Sequence, residues 1–147
     1  MKKTIATFFP FEDGREIELP KYQTAGSVGL DLKADIPEPI ILYPFFRKVI
    51  PTGLRIEIKE GFEGQVRSRS GLAANHGVVV LNAPGTVDND YAGEVKVILY
   101  NTDHFIPFTI NPGDRIAQMV ICPVARASSD KVTRKRGEGG FGSTGKE

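Results

Sequence analysis

The feature that most constrains this chain is a period of two, broken at short intervals by turn residues. Leu54, Ile56 and Ile58 alternate with Arg55, Glu57 and Lys59, the pattern of a half-buried strand. Val95 and Val97 alternate with Glu94 and Lys96 before Ile98 and Leu99 interrupt the pattern. Short β-branched runs recur at Pro39–Leu42, Val78–Leu81, Phe105–Ile110 and Ile116–Cys122. Turn residues separate them at Pro51-Thr52-Gly53, Glu60-Gly61, Asn82-Ala83-Pro84-Gly85 and Asn111-Pro112-Gly113-Asp114. Glycine occurs 16 times and proline 10 times, which favours many turns over long helices. The spacing predicts an all-β sandwich or barrel. One short helix is predicted over Gly71–His76, after Ser70 and closed by Gly77.

The length of 147 residues suits one domain with a sizeable core. Hydrophobic residues at 40% and charged residues at 25% exclude a wholly disordered chain. No apolar run approaches the roughly 18 residues of a membrane span. A net charge of +1 argues against a nonspecific nucleic-acid binder, so neither nucleic acid nor membrane is expected as a partner. The single cysteine, Cys122, excludes an internal disulfide framework and a cysteine-rich zinc site; lying in an apolar run, it is read as a core residue. Behind Met1-Lys2-Lys3 the apolar stretch Thr4–Phe9 is too short for a secretory signal, and the expected location is cytoplasmic. Residues 1–126 are expected to form the core. Residues 127–147 hold five Gly, five Lys or Arg and few apolar side chains, so a flexible Gly-rich C-terminal tail is expected there.

Two glycine patterns mislead. Gly137-Glu138-Gly139-Gly140-Phe141-Gly142 fits G-x-G-x-x-G, but the chain ends too soon for the helix and acid that a dinucleotide site needs. Gly140–Lys146 resembles a P-loop, but Glu147 stands where a magnesium-binding hydroxyl belongs. What survives is that consecutive glycine N–H groups can wrap phosphate oxygens. His76 and His104 lack companions at metal-ligand spacing and are read as structural or exposed. Lys33, Lys48 and Lys131 are read as ordinary solvated charges.

Four segments carry chemistry. Gly64-Gln65-Val66-Arg67-Ser68-Arg69-Ser70-Gly71-Leu72-Ala73 places arginines and a serine where a strand passes into a helix, a setting suited to phosphate. Its bland alternative is a helix cap with surface charges. Asn82–Glu94 reads as a β-hairpin turning near Asp88–Gly93, with carboxylates, an amide and Tyr91 together. Asp88 follows apolar Val87 and is read as partly enclosed, placed either to activate a water or to brace the turn. For Asp90 the turn role is favoured. Gly113–Val120 sets polar Gln118 inside a buried strand, where it must find a partner. The fourth segment is the tail from Arg136 to Gly145.

These segments, preceded by Ala25-Gly26-Ser27-Val28-Gly29-Leu30-Asp31-Leu32, resemble the five ordered motifs of the trimeric dUTP diphosphatases over about Tyr22–Gly145. Five motifs in order make a specific signal where each alone would not. The resemblance implies a jelly-roll-like β-sandwich and hydrolysis of dUTP to dUMP and pyrophosphate. That reaction supplies dUMP for thymidylate synthesis and keeps uracil out of DNA. Asp88 would activate the water that attacks the α-phosphorus. One Mg2+ would be held by the triphosphate, with no direct protein ligand and Asp31 reaching it through water. Arg69, Ser70, Gly71 and Gln118 match phosphate-contacting positions. Asn82, with the backbone near Gly85, Val87 and Lys96, matches the uracil-reading surface. Reversed donors and acceptors would reject cytosine there, and a narrow hairpin would exclude the thymine methyl. Tyr91 matches the ring beneath the deoxyribose. In the tail, Phe141 matches the aromatic over the uracil, and Arg136, Gly142, Ser143 and Thr144 match further substrate contacts. The resemblance also implies a homotrimer whose active sites each draw on three chains. Ser68 stands where a proline is common in the family. The alternatives are a dCTP deaminase of related fold, a nucleotide-sensing interaction module on the same scaffold, and a generic β-sandwich.

Overall fold

The computed structural model describes residues 4–129. Among them run β1 (Ala6–Pro10), β2 (Leu30–Lys33), β3 (Ile40–Leu42), β4 (Arg47–Ile58), β5 (Phe62–Arg67), α1 (Ser70–His76), β6 (Val78–Val80), β7 (Gly85–Val87), β8 (Val95–Asn101), β9 (Phe108–Ile110) and β10 (Arg115–Pro123). One sheet has the order β1-β4-β8-β6 and a second β2-β10-β5-β7, while β3 and β9 form a two-stranded ribbon. Every ladder is antiparallel. This is the expected all-β architecture with one short helix.

Alternation decides what is buried. Leu54, Ile56 and Ile58 of β4 and Val95, Val97 and Leu99 of β8 point inward, against Leu32, Val66, Ala117 and Met119 of the second sheet. Leu42 and Ile110 extend the same core from the ribbon. Burying each large aliphatic side chain contributes about 1.5–3 kcal/mol, so the filled interior fixes how the strands face. In β8 the period of two continues past Ile98, because Leu99 is buried and Ile98 only half-buried.

Several sequence expectations are corrected. Phe105–Pro107 are not strand: both N–H groups of Phe105 and Ile106 donate to Asp103 Oδ1 at 2.8 Å, and β9 starts only at Phe108. The helix starts at Ser70, one residue early, with extended Arg69 as its N-cap and no side-chain cap bond; it ends as expected at left-handed Gly77. Cys122 is half-buried, not core. It shares the outer face of β10 with Gln118 and Val120, and its Sγ lies 3.6 Å from Arg67 Nη2. The N-terminal apolar stretch contributes β1, an edge strand paired along β4 from Ala6↔Ile58 to Pro10↔Leu54. Lys33 is ion-paired with Glu18, whereas Lys48 is exposed. Lys131 lies outside the described residues. No helix among the described residues is long and apolar enough to cross a membrane.

Candidate active site

The outer face of the second sheet carries the cationic part of the site. Gln118 of β10 stands between Asp31 of β2 and Arg67 of β5 in register. Because opposed residues share a face, all three point away from the core that receives Leu32, Val66 and Ala117. Just beyond β5, Arg69 reaches back: its Nε donates to Asp31 Oδ1 at 3.1 Å and its Nη1 to the Arg115 carbonyl at 3.0 Å. Arg115 Nη1 lies 3.4 Å from Asp31 Oδ2. One carboxylate therefore orients two guanidinium groups and leaves the cluster net positive. Gln118 Nε2 donates to the Ser68 carbonyl at 3.0 Å, which is the partner its half-buried setting demanded. Gly29 lets Gln118 lie close to the chain, since a Cβ there would stand 2.2 Å from Gln118 Oε1 and displace that side chain. Ser70 and Gly71 open α1 and are exposed.

The acidic part lies elsewhere. β7 pairs with β5, and β8 pairs with β4 and β6. The segment Asn82–Glu94 is therefore not the expected hairpin: β7 within it and β8 just after it belong to different sheets, and residues 88–94 cross between the layers. The register explains this. Buried Gly85 and Val87 extend the β5 ladder, while Val95 begins the other sheet's inward set. Asp88 is exposed in this chain, not enclosed. Its carbonyl accepts the Tyr91 N–H at 3.2 Å, which closes the turn. The Tyr91 hydroxyl donates to the Glu94 carbonyl at 2.9 Å, and Gly93 makes room for the ring. Glu94 Oε1 in turn accepts the Gly53 N–H at 2.9 Å. Asn82 is exposed and packs beside buried Gly85, where an added Cβ would meet its amide at 3.2 Å. Lys96 is exposed, with Nζ 3.8 Å from Glu94 Oε2.

The two parts are not adjacent. Antiparallel pairing sets Asn82–Pro84 beside the Arg67 end of β5 and Asp88 beside the Glu63 end, one step past the pair Gly64↔Val87. At roughly 3.3 Å per residue, about 13 Å of strand separates those ends. The structure thus gathers Asp31, Arg69, Gln118 and the start of α1, and keeps Asp88 and Tyr91 apart from them. Arg136, Phe141, Gly142, Ser143 and Thr144 lie outside the described residues. Arg115 was missed in the sequence. A bulge between Arg115 and Ala117 brings it to Asp31, and the only hint was its place just after the Gly113-Asp114 turn. Neither histidine belongs to the site: His76 is exposed near Phe108 and His104 edge-on to Phe45.

Among the described residues no three His, Cys, Asp or Glu side chains could enclose a metal ion.

Fold and cluster define an antiparallel β-sandwich protein with an anion-ready edge. The dUTPase family model matches residues 15–145. A deoxyuridine 5'-triphosphate nucleotidohydrolase from Anaeromyxobacter sp. (strain Fw109-5) is 56% identical over 137 residues, covering 90% of this chain and 91% of the relative. The protein of the same name from Chlamydia pneumoniae is 53% identical over 133 residues, 87% of this chain and 91% of its own length. Among solved structures, a point mutant of the Staphylococcus bacteriophage 80alpha dUTPase with dUpNHpp has the same fold. It superposes with a TM-score of 0.80 at 24% identity, covering 97% of this chain and 99% of that one. The chain belongs to the dUTPase family.

Proposed function

We propose that this chain hydrolyses dUTP to dUMP and pyrophosphate by attack of an Asp88-activated water on the α-phosphorus. It is an enzyme, a dUTP diphosphatase. The observation that carries the reading is the dUTPase family match across residues 15–145. The water oxygen bonds the α-phosphorus, the bond to the β-phosphate bridge breaks, and Asp88 takes the water's proton. Arg69, Ser70, Gly71 and Gln118 hold phosphate oxygens. Asn82 and the backbone of Gly85, Val87 and Lys96 read uracil, and Tyr91 carries the deoxyribose. Magnesium, when bound with the triphosphate, neutralises charge on the leaving pyrophosphate. Residues 127–147 close over the nucleotide, with Phe141 on the base and Arg136, Gly142, Ser143 and Thr144 on the remaining contacts.

The active form is a homotrimer whose sites combine chains. Supporting this, about 13 Å of strand lies between the Asp88 and Arg69 ends of β5, well beyond the near-contact an attack requires. A site that joins Asp88 of one copy to Arg69 of another removes that gap. The cytoplasm is the proposed location, in keeping with a lone unpaired thiol. In turn the reaction supplies dUMP for thymidylate synthesis and keeps uracil out of DNA.

The test is pyrophosphate release with magnesium from dUTP, dCTP, dTTP and UTP in parallel, beside Asp88→Asn. Release from dUTP alone, lost in the variant, is expected. Ammonia release from dCTP would point to a deaminase instead, and dUTP binding without turnover to a sensing module.

A further inference from the structure

Ser68 lies between β5 and α1, and the structure shows it engaged on two sides. Its Oγ accepts the Val80 N–H at 2.9 Å, and its carbonyl accepts Gln118 Nε2 at 3.0 Å. Val80 is buried at 3% exposure on β6, the edge of its sheet. The neighbouring Leu81 N–H donates to the Ile98 carbonyl of β8, so the Val80 N–H faces the other way, off the edge. A buried donor on that side must be satisfied, and the Ser68 hydroxyl is the partner it has. One residue therefore bonds both layers: β6 in the first sheet through its hydroxyl, β10 in the second through its carbonyl.

That position is not neutral for chemistry. Ser68 directly precedes Arg69, the N-cap of α1, whose guanidinium joins the Asp31 and Arg115 cluster. The helix start has no side-chain cap bond of its own. Its placement is set by the Arg69 guanidinium bonds and by the two bonds of the residue before it. We infer that Ser68 is a positioning residue: its two hydrogen bonds hold the Arg69–Gly71 segment at the setting in which it receives a polyphosphate. This rests on the proposed phosphate role of that segment. Removing the hydroxyl leaves the Val80 N–H unpaired and lets the chain between β5 and α1 drift. Ground-state phosphate contacts then weaken while the chemistry at Asp88 is untouched, which raises KM rather than lowering kcat.

The experiment compares wild type, Ser68→Ala and Ser68→Thr by thermal melting, by dUTP kinetics, and by calorimetric titration with inorganic tripolyphosphate. For Ser68→Ala, KM and the tripolyphosphate Kd should rise roughly tenfold, with kcat within about threefold of wild type. Ser68→Thr keeps the acceptor and should restore both values. An Ala variant with a lowered Tm but unchanged KM and tripolyphosphate Kd would overturn the inference, since the bond would then be merely structural. If Ser68→Ala does not fold, Ser68→Cys takes its place, because sulfur is a weak acceptor. Should wild type fail to turn over dUTP, the functional reading falls by itself, and the tripolyphosphate comparison still decides the role of Ser68.

Discussion

At the scale of single residues, Asn101 and Asp103 show how polar groups shape the loop ahead of β9. Asn101 is fully buried, and its Nδ2 donates to the carbonyls of Leu42 and Ile106, each at 3.0 Å. Its Oδ1 accepts the Asp103 N–H at 2.9 Å. Asn101→Ala leaves these partners unpaired and should destabilise the fold by about 3 kcal/mol in urea titration. Asp103 continues the chain of bonds. The Phe105 and Ile106 N–H groups hold its carboxyl below the ordinary value of 3.8. A lowered value means that this stabilisation is complete above the ordinary carboxylate range and is lost as pH falls through the lowered value. Melting temperatures measured from neutral pH into acid should therefore converge for wild type and Asp103→Asn. Neither role was legible beforehand, because Asn and Asp in such a run read equally well as surface turn residues.

Among the elements, α1 and its exit show which local signals suffice. Gly77 was legible as a helix stop, and it adopts φ +64 with its N–H on the Ala73 carbonyl. Gly77→Ala adds left-handed strain and sets a Cβ 2.7 Å from Thr102 Oγ1. A loss of about 1–2 kcal/mol is expected in denaturant unfolding, with the sheets retained by circular dichroism. The strand Leu54–Ile58 was legible for the same reason, since alternation fixes its buried face without reference to a partner. What local pattern cannot encode is the choice of partner. β7 and β8 are close in sequence and look like two arms of a hairpin, yet Gly85 and Val87 find β5 and Val95 finds β4. The bulge that carries Arg115 to Asp31 is equally silent in the sequence. The Arg67–Gly71 segment was thus readable as residues, but its assembly with Asp31 and Gln118 was a product of long-range pairing.

On the scale of the whole molecule, the separated halves of the site set the prediction. Deleting residues 127–147 should leave the sandwich folded, because the core residues all precede Pro123, while kcat for dUTP falls by about two orders of magnitude or more as the proposed closure is lost. Sedimentation of the full chain at micromolar concentration should give a trimer, and a monomer with full activity would contradict the shared site.

The crossing between layers has a consequence for heat. Residues 88–94 belong to no ladder, so fewer backbone bonds hold them than hold the strands on either side. Warming loosens such a span ahead of the core. Catalysis should therefore fade several degrees below the calorimetric transition and return on cooling, as a worn bearing fails before the frame that holds it.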